Sequence, residues 1–441
     1  MRPIDETHAP SLQSWVEKAN SSDTEFPIQN LPFCRFRLVG QKAELGIAIG
    51  DQILRLHECA RLKLIDARWN AAANADDLRA FMLLPVADRV AFRREISGLL
   101  RSDSKTQATT GALVAQDQVE LLVPTEIGDY TDFYASIFHA TNVGCMFRPT
   151  NPLLPNYKHI PIGYHGRASS IIASGQSVKR PAGQLPPAEE NGAPSFGKCK
   201  NLDYELEVGA FVAQGNQLGE PIPLSVAEDF LFGLCLVNDW SARDMQRWEY
   251  QPLGPFLAKS FATSVSPFVV TMEALAPFRC ASFQRAAGDP QPLEYLRSNE
   301  DRTSGGIIMD LQVSLSSETM RNEGIEPVQL SMTNFRQMYW TLAQMLTHHA
   351  SNGCNLRAGD LIASGTVSGP ERSARGCMLE LTWDGDTNNP LPGSSRTPIK
   401  LPTGEERIFL QDGDEVRFQA RCAAEGYRTI GFGPLVAAIL P

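Results

Sequence analysis

The chain has 441 residues, more than one hydrophobic core usually supports, so we expect two or three domains. Its 40 Lys and Arg residues against 50 Asp and Glu residues give a formal charge of −10, which argues against nucleic acid or an anionic membrane as the main partner. No signal-peptide pattern or long apolar run is evident, and the nine Cys residues lack metal-site spacing, so we predict reduced thiols in a cytoplasmic protein.

The first 120 or so residues predict a small β-rich domain with an attached helix. Phe33 to Leu56 alternates apolar and polar side chains around glycines, which is typical of short antiparallel strands. Farther along, Phe92, Ile96 and Leu100 follow helical spacing and predict one amphipathic helix. We find no catalytic cluster in this part of the sequence.

From about residue 121 onward, strand-like runs outnumber helices. This balance favours a β-sandwich or β-roll over a doubly wound sheet. The predicted strands are Ile171–Ala173, Glu205–Val212, Leu234–Val237, Val265–Val270, Leu311–Leu315, Leu361–Ser364, Met378–Trp383 and Val416–Ala420. Two helices are predicted from capping boxes, one formed by Ser225 with Glu228 and the other by Asn334 with Gln337.

Three acidic residues alternate with apolar residues in the run LDYELEV, residues 202–208. If this run is a strand, Asp203, Glu205 and Glu207 point to one face, about 6.5–7 Å apart. Like charges repel in that arrangement, and it persists readily around a hard divalent cation. The alternative interpretation is a solvated strand face.

Two further carboxylates support the metal interpretation. Asp132 opens the second domain, and Asp239 ends an apolar run that we expect to be a buried strand. A charge in that position is costly unless it is paired or bound to a metal, although Asp is also a common turn former at strand ends. With the acids of residues 202–208, these two supply enough oxygen ligands for Mg²⁺ or Ca²⁺.

Basic and amide side chains near these acids could take part in catalysis. His139 lies seven residues after Asp132 and could act as a base, although a lone His is often structural. Arg243, Gln246 and Lys259 follow Asp239 and could donate to an oxyanion or a carboxylate. The alternative for these three is an ordinary polar helix turn and loop.

Six segments together resemble the fumarylacetoacetate hydrolase family. They are DYTDFYASIFHATNVGCMFR (129–148), PIGYHGRASS (161–170), LDYELEVGAF (202–211), NDWSARDMQRWEYQPLGPFLAKSF (238–261), THHASNGCNLRAGDLIASGTVSGPE (347–371) and MLELTW (378–383). The resemblance implies a mainly β protein and a homodimer, with an N-terminal SH3-like barrel in residues 1–120 and a catalytic β-roll or sandwich in residues 121–441. It implies hydrolysis of a carbon–carbon bond in a diketo acid, 4-fumarylacetoacetate, the last step of tyrosine and phenylalanine catabolism, with Ca²⁺ or Mg²⁺ as the cofactor.

The resemblance also implies a role for individual residues. The metal ligands fall on Asp132, Glu205, Glu207 and Asp239, with Lys259 and Thr263 bordering a magnesium site, while Asp203 becomes a supporting residue. The catalytic His falls on His139, its orienting carboxylate on Glu380, and the oxyanion donors on Arg243, Gln246 and Lys259. Substrate contacts fall on Tyr134, Arg148, Tyr164, Gln246, Tyr250 and Thr366. The chain departs from the family at Ala258 and Ala262, where glycine is expected, and this departure bears on the local backbone geometry.

Two other functions remain open at this point. One is a related acylpyruvate hydrolase, decarboxylase or keto–enol isomerase on the same metal scaffold. The segment around His139 and the long N-terminal region favour hydrolysis of 4-fumarylacetoacetate over these activities. The other is a catalytically silent binding protein, which we would expect to have lost a ligand or the histidine.

Overall fold

The computed structural model describes residues 2–104, 110–189 and 191–441. Most strands within these ranges belong to two large sheets, one of thirteen strands and one of six. The prediction of a mainly β protein is confirmed. No helix of the described ranges combines the length and the apolar character needed to cross a membrane.

The N-terminal region forms short antiparallel strands and helices, as predicted. The strands are β1 (Phe33–Arg37), β2 (Ala43–Ile49), β3 (Gln52–Arg55), β4 (Leu113–Ala115) and β5 (Glu120–Leu121), and the helices are α1 (Leu56–Arg61), α2 (Asn70–Ala73), α3 (Arg79–Met82) and α4 (Val86–Leu100). Helix α4 buries Phe92, Ile96 and Leu100 in one core with Phe33 of β1. Gly50, with φ +58°, makes the tight turn between β2 and β3.

The rest of the chain contributes the remaining strands and helices. The strands are β6 (Tyr130–Phe133), β7 (Gly163–His165), β8 (Ile171–Ala173), β9 (Val178–Lys179), β10 (Ala182–Leu185), β11 (Ser195–Lys198), β12 (Leu202–Asp203), β13 (Leu206–Val212), β14 (Leu231–Asp239), β15 (Ser241–Ala242), β16 (Thr263–Val265), β17 (Phe268–Thr271), β18 (Arg279–Cys280), β19 (Gly306–Ile307), β20 (Asp310–Ser316), β21 (Val328–Asn334), β22 (Leu361–Ala363), β23 (Ile399–Lys400), β24 (Glu406–Arg407), β25 (Glu415–Cys422), β26 (Ile430–Gly431) and β27 (Leu435–Leu440). The helices are α5 (Ile137–Phe147), α6 (Arg243–Glu249), α7 (Asn299–Ser304), α8 (Glu318–Asn322), α9 (Leu342–Ala350) and α10 (Met378–Leu381).

The larger sheet runs through both parts of the chain. Its main order is β4-β3-β2-β1-β17-β14-β13-β22-β6-β7, and the junction between the two parts pairs Phe33 with Val269. Strand β14 is buried along all nine residues, which explains its almost unbroken apolar sequence. The smaller sheet has the order β21-β20-β25-β27-β9. We retain the division into units of residues 1–120 and 121–441 as a proposal.

Three local predictions were wrong. Residues Met378–Trp383 were predicted as a strand, but Met378–Leu381 form a helix; all four of these side chains are buried, so apolar periodicity could not identify the element. Ser225 and Glu228 form no capping box, because the helix there is a short 3₁₀ turn without a side-chain cap. Residues Val265–Val270 contain two strands, because Pro267 lies between them and has no amide hydrogen to donate.

The late helix begins later than predicted. Asn334 caps only a 3₁₀ turn, Phe335–Gln337, and the capping box of α9 is formed by Thr341 and Gln344. The nine Cys side chains are free thiols, and seven of them are buried. This agrees with the prediction of reduced thiols.

One partly buried carboxylate on α7 makes the stability of the fold depend on pH. Burial raises the pKa of Asp301 to about 6, although the Thr341 hydroxyl donates to it at 2.6 Å. Because the pKa of Asp301 is higher in the folded state than in the unfolded state, its protonated carboxyl stabilises the fold. This stabilisation is full below about pH 4 and is lost as pH rises through 6. We expect D301N to be stabilised relative to the wild type by roughly 2 kcal/mol more at pH 7.5 than at pH 4.5. Urea unfolding at both pH values measures this, and parallel pH dependence in the two proteins would contradict it.

Candidate active site

Four carboxylates lie together where buried strands of the larger sheet begin and end. Asp132 belongs to β6, Glu207 to β13 and Asp239 to the end of β14, and Glu205 directly precedes β13. One oxygen from each lies within 4.8 Å of the others. All four residues are buried, which excludes the alternative of a solvated strand face.

Strand pairing explains why residues so far apart in sequence converge. Glu207 is paired with Val237 across β13 and β14, two residues before Asp239. On the other side of β13, strand β22 lies between β13 and β6, and its Ala363 is paired with Asp132. Adjacent strands therefore bring the acids to one end of the sheet.

The electrostatics of two of these acids fit a site for a divalent cation. Burial raises the pKa of Glu207 well above its usual value, and the neighbouring Asp132 and Asp239 raise it further. Burial and Asp239 raise the pKa of Asp132 in the same way. Among the described residues, neither carboxylate oxygen of Glu207 has a hydrogen-bond partner, nor does Oδ1 of Asp132. Unsatisfied buried acceptors are costly, and a divalent cation would satisfy them.

Two cations already compensate the other acids of the cluster. Lys259 Nζ donates to Glu205 Oε2 at 2.7 Å and to Asp239 Oδ2 at 2.8 Å. Arg243 Nη1 lies 2.6 Å from Glu205 Oε1. Burial opposes ionisation of Glu205, but Lys259 and Arg243 outweigh it and hold the pKa of this carboxyl well below its usual value. Glu205 is therefore ionised and able to bind a metal.

The donor set fits a hard cation. The four ligand candidates are all carboxylates, and Thr263 Oγ1 donates to Asp239 Oδ1 at 3.0 Å, which orients that ligand. Oxygen-only sites suit Mg²⁺ and Ca²⁺ better than softer metals. The residues present therefore fit the predicted cofactor class.

His139 and Glu380 form a buried pair beside the carboxylate cluster. His139 lies in the first turn of α5, and its Nδ1 is 2.6 Å from Glu380 Oε2. Asn142 Nδ2 and Ser368 Oγ also donate to Glu380, each at 2.8 Å. Burial opposes ionisation of Glu380, but His139 and these donors lower its pKa to about 2. The ionised carboxylate assigns the imidazole proton to Nδ1 and leaves Nε2 as the acceptor.

A cavity of about 900 Å³ opens onto both groups. Asp132, Glu205 and His139 lie in its wall. The wall also contains the predicted donors and substrate contacts, namely Arg243, Gln246, Lys259, Tyr134, Arg148, Tyr164, Tyr250 and Thr366. Asp239 and Glu380 lie behind the wall. Asp239 accepts a hydrogen bond from Tyr164 of the wall at 2.8 Å, and Glu380 is hydrogen-bonded to His139 of the wall. The structure thus brings together all the predicted site residues.

Some residues of the site were not predicted. Asn142 lies one helical turn after His139, so its spacing could have indicated a shared partner. Ser368, Arg247 and Arg396, the last two also in the cavity wall, gave no local signal. Ala258 and Ala262 are buried without positive φ angles, so alanine is accommodated there without backbone strain.

Comparisons with known proteins agree with this architecture. The model of the fumarylacetoacetate (FAA) hydrolase C-terminal family matches residues 130–439, and that of the fumarylacetoacetase N-terminal family matches residues 29–124. Fumarylacetoacetase of Homo sapiens is 46% identical over 430 residues, covering 96% of this chain and 97% of that protein. Fumarylacetoacetase of Dictyostelium discoideum is 44% identical over 440 residues, 98% of each chain. Fumarylacetoacetate hydrolase from Exiguobacterium antarcticum shares the fold, with a TM-score of 0.51 at 16% identity, covering 93% of this chain and 99% of that one.

Proposed function

The chain belongs to the fumarylacetoacetate hydrolase family, and from that membership we propose that it hydrolyses 4-fumarylacetoacetate to fumarate and acetoacetate. This reaction ends tyrosine and phenylalanine breakdown. The observation that carries the proposal is the buried cluster of four carboxylates that shares one cavity with the His139–Glu380 pair.

The substrate is a diketo acid with a carboxylate at each end, and the cavity offers groups for each part. Asp132, Glu205, Glu207 and Asp239 would hold Ca²⁺ or Mg²⁺, which as a Lewis acid polarises carbonyl oxygens when bound. Arg148 lines the cavity, and its guanidinium is suited to a terminal carboxylate. The remaining wall residues, Tyr134, Tyr164, Tyr250 and Thr366, would orient the chain of the substrate.

His139 would act as the general base. Because Glu380 holds the Nδ1 proton, Nε2 accepts a proton from water, and the resulting hydroxide adds to the carbonyl carbon of the fumaryl group, which becomes a carboxyl carbon of fumarate. The bond between that carbon and the acetoacetate carbon then breaks, and its electron pair stays on acetoacetate. The protonated His139 returns its proton to this carbon, so one water is consumed and the histidine is regenerated.

Arg243, Gln246 and Lys259 would stabilise the alkoxide formed by the addition of hydroxide. Within the described residues, Nη2 of Arg243 is buried without a hydrogen-bond partner, so it is free to donate to a developing oxyanion. Gln246 accepts from Nη1 of the same guanidinium at 3.1 Å, which leaves its amide N–H groups as donors. Loss of one well-placed donor typically costs about 2.7–4 kcal/mol of transition-state stabilisation.

We also propose that the protein is a cytoplasmic homodimer. Trp248, Leu253, Phe256 and Leu257 are exposed within ten residues of sequence, and Leu253 is 96% exposed. A surface this apolar is typical of an interface, and a second copy of the chain is the partner that the resemblance suggests. Nine free thiols are in keeping with a reducing compartment.

A substrate panel tests the proposed activity. We expect the purified protein with Mg²⁺ or Ca²⁺ to convert fumarylacetoacetate into equal amounts of fumarate and acetoacetate, and to act at least about 100-fold more slowly on acylpyruvates. Chromatography of the products with an enzymatic assay for fumarate measures this. Preferential turnover of an acylpyruvate, release of carbon dioxide or isomerisation without cleavage would support the related enzymes instead.

A further inference from the structure

Asp203, the first acid of the alternating run, lies outside the cluster of four carboxylates. It is fully buried, and both of its oxygens are occupied. Oδ1 accepts the backbone N–H of Met378 at 2.9 Å, and Oδ2 accepts that of Leu379 at 3.0 Å. Oδ2 also accepts Nε of Arg243 at 2.9 Å. One side chain therefore holds both the start of α10 and a guanidinium of the active site.

These contacts form a continuous path between the carboxylate cluster and the His139–Glu380 pair. Arg243 joins Asp203 to Glu205, since its Nη1 lies 2.6 Å from Glu205 Oε1. On the other side, Asp203 caps the first two residues of α10, and the next residue is Glu380, which holds His139 at 2.6 Å. The path thus runs from a metal-ligand candidate to the proposed base.

We propose that Asp203 is a positioning residue that couples cation binding in the carboxylate cluster to the placement of the His139–Glu380 pair. The inference rests on the proposed function for its catalytic consequence. Helix α10 has only four residues, too few to be stable alone, so its position depends on contacts such as those with Asp203. The planar guanidinium of Arg243 transmits orientation, because its nitrogens are fixed relative to one another.

The coupling can be measured from either end, as the effect of the cation on α10 or as the effect of Asp203 on cation binding. A cation that fixes Glu205 also fixes Arg243, and through Arg243 it fixes Asp203 and the start of α10. By reciprocity, loosening Asp203 weakens cation binding at Glu205. A change at Asp203 therefore alters cation affinity and the placement of the His139–Glu380 pair together.

The isosteric variant D203N tests this inference, because its amide nitrogen cannot accept a hydrogen bond, so either the N–H of Met378 or the N–H of Leu379 together with Nε of Arg243 loses its acceptor. We expect its Mg²⁺ affinity, measured by calorimetry, to fall about 10-fold. At saturating Mg²⁺ we expect kcat to fall about 10–100-fold with KM changed less than about threefold, since supporting contacts act on the chemistry more than on substrate binding.

Asp77 provides a matched control in the N-terminal region. It accepts the backbone N–H groups of Arg79 and Glu126, each at 2.8 Å, and Nε of Arg79 at 2.7 Å, so its partners resemble those of Asp203. We expect D77N to lose thermal stability while keeping Mg²⁺ affinity and kcat. Equal effects of D77N and D203N on kcat would show a general structural role and overturn the proposal.

Hydrogen exchange in the wild type keeps the proposal testable if D203N does not fold. We expect Mg²⁺ to slow amide exchange of Met378 and Leu379 by about 10-fold or more, and to leave the amides of Arg79 and Glu126 unchanged. Unchanged exchange at residues 378 and 379 in protein that binds Mg²⁺ would refute the coupling. Slowed exchange without turnover of fumarylacetoacetate would instead refute the proposed function and leave the coupling standing.

Discussion

Replacing His139 with alanine is expected to lower kcat by about 10³-fold or more, because general acid–base catalysis contributes about 10²–10⁴-fold and His139 acts in two steps. Mg²⁺ affinity should stay within about twofold of the wild type, since the histidine is not one of the four clustered carboxylates. Initial rates with fumarylacetoacetate and calorimetric titration of Mg²⁺ measure the two effects.

The control for this variant is H8A. His8 is as buried as His139, at 3% exposure, but it binds the backbone oxygen of Glu273 in another part of the molecule. We expect H8A to be less stable and fully active once corrected for folded protein. A wild-type kcat in H139A would show that His139 is not the general base.

Replacing Glu207 with glutamine is expected to have opposite effects with and without a divalent cation. In chelator the variant should be more stable than the wild type by about 1–2 kcal/mol, because a neutral amide avoids the cost of burying a carboxylate beside Asp132 and Asp239. With Mg²⁺ the order should reverse, since the wild type gains about 2.7 kcal/mol at a concentration 100 times its Kd. We expect the variant's Mg²⁺ affinity to fall about 100-fold and its activity with it.

Thermal melts of both proteins in chelator and in Mg²⁺ measure these effects. A matched control is E273Q, which removes a buried carboxylate that is 3.0 Å from Arg2 and outside the site. We expect E273Q to be destabilised equally in both buffers. A Glu207 variant that is less stable in chelator and still binds Mg²⁺ normally would contradict the account of the cluster.

The parts of the site that the sequence predicts well are those encoded by a single segment. Asp239 follows the apolar run Leu234–Val237, which is recognisable as a buried strand, and Glu207 belongs to the alternating acids of residues 202–208. Asp132 reaches the same cluster only because β22 lies between β6 and β13, a pairing that no local spacing reveals. The residues alone made Asp132 a candidate ligand, and the resemblance to the family assigned it that role.

The structure departs from the sequence-based expectation where distant partners decide local structure. The residues of α10 are all buried, and the carboxylate that caps them belongs to Asp203, 175 residues earlier in the chain. Likewise, Asn334 and Thr341 both carry valid capping signals, and tertiary packing decides that only Thr341 starts a full helical turn. Propensity and pattern describe neighbours in sequence, whereas these elements depend on neighbours in space.

We infer that the clustered carboxylates hold a divalent cation required for carbon–carbon bond hydrolysis. The most direct test follows the loss of fumarylacetoacetate absorbance by protein that has been treated with a chelator and then dialysed. We predict that the treated protein is inactive and that added Mg²⁺ or Ca²⁺ restores the rate. Undiminished turnover by protein shown to be free of metal would contradict the claim.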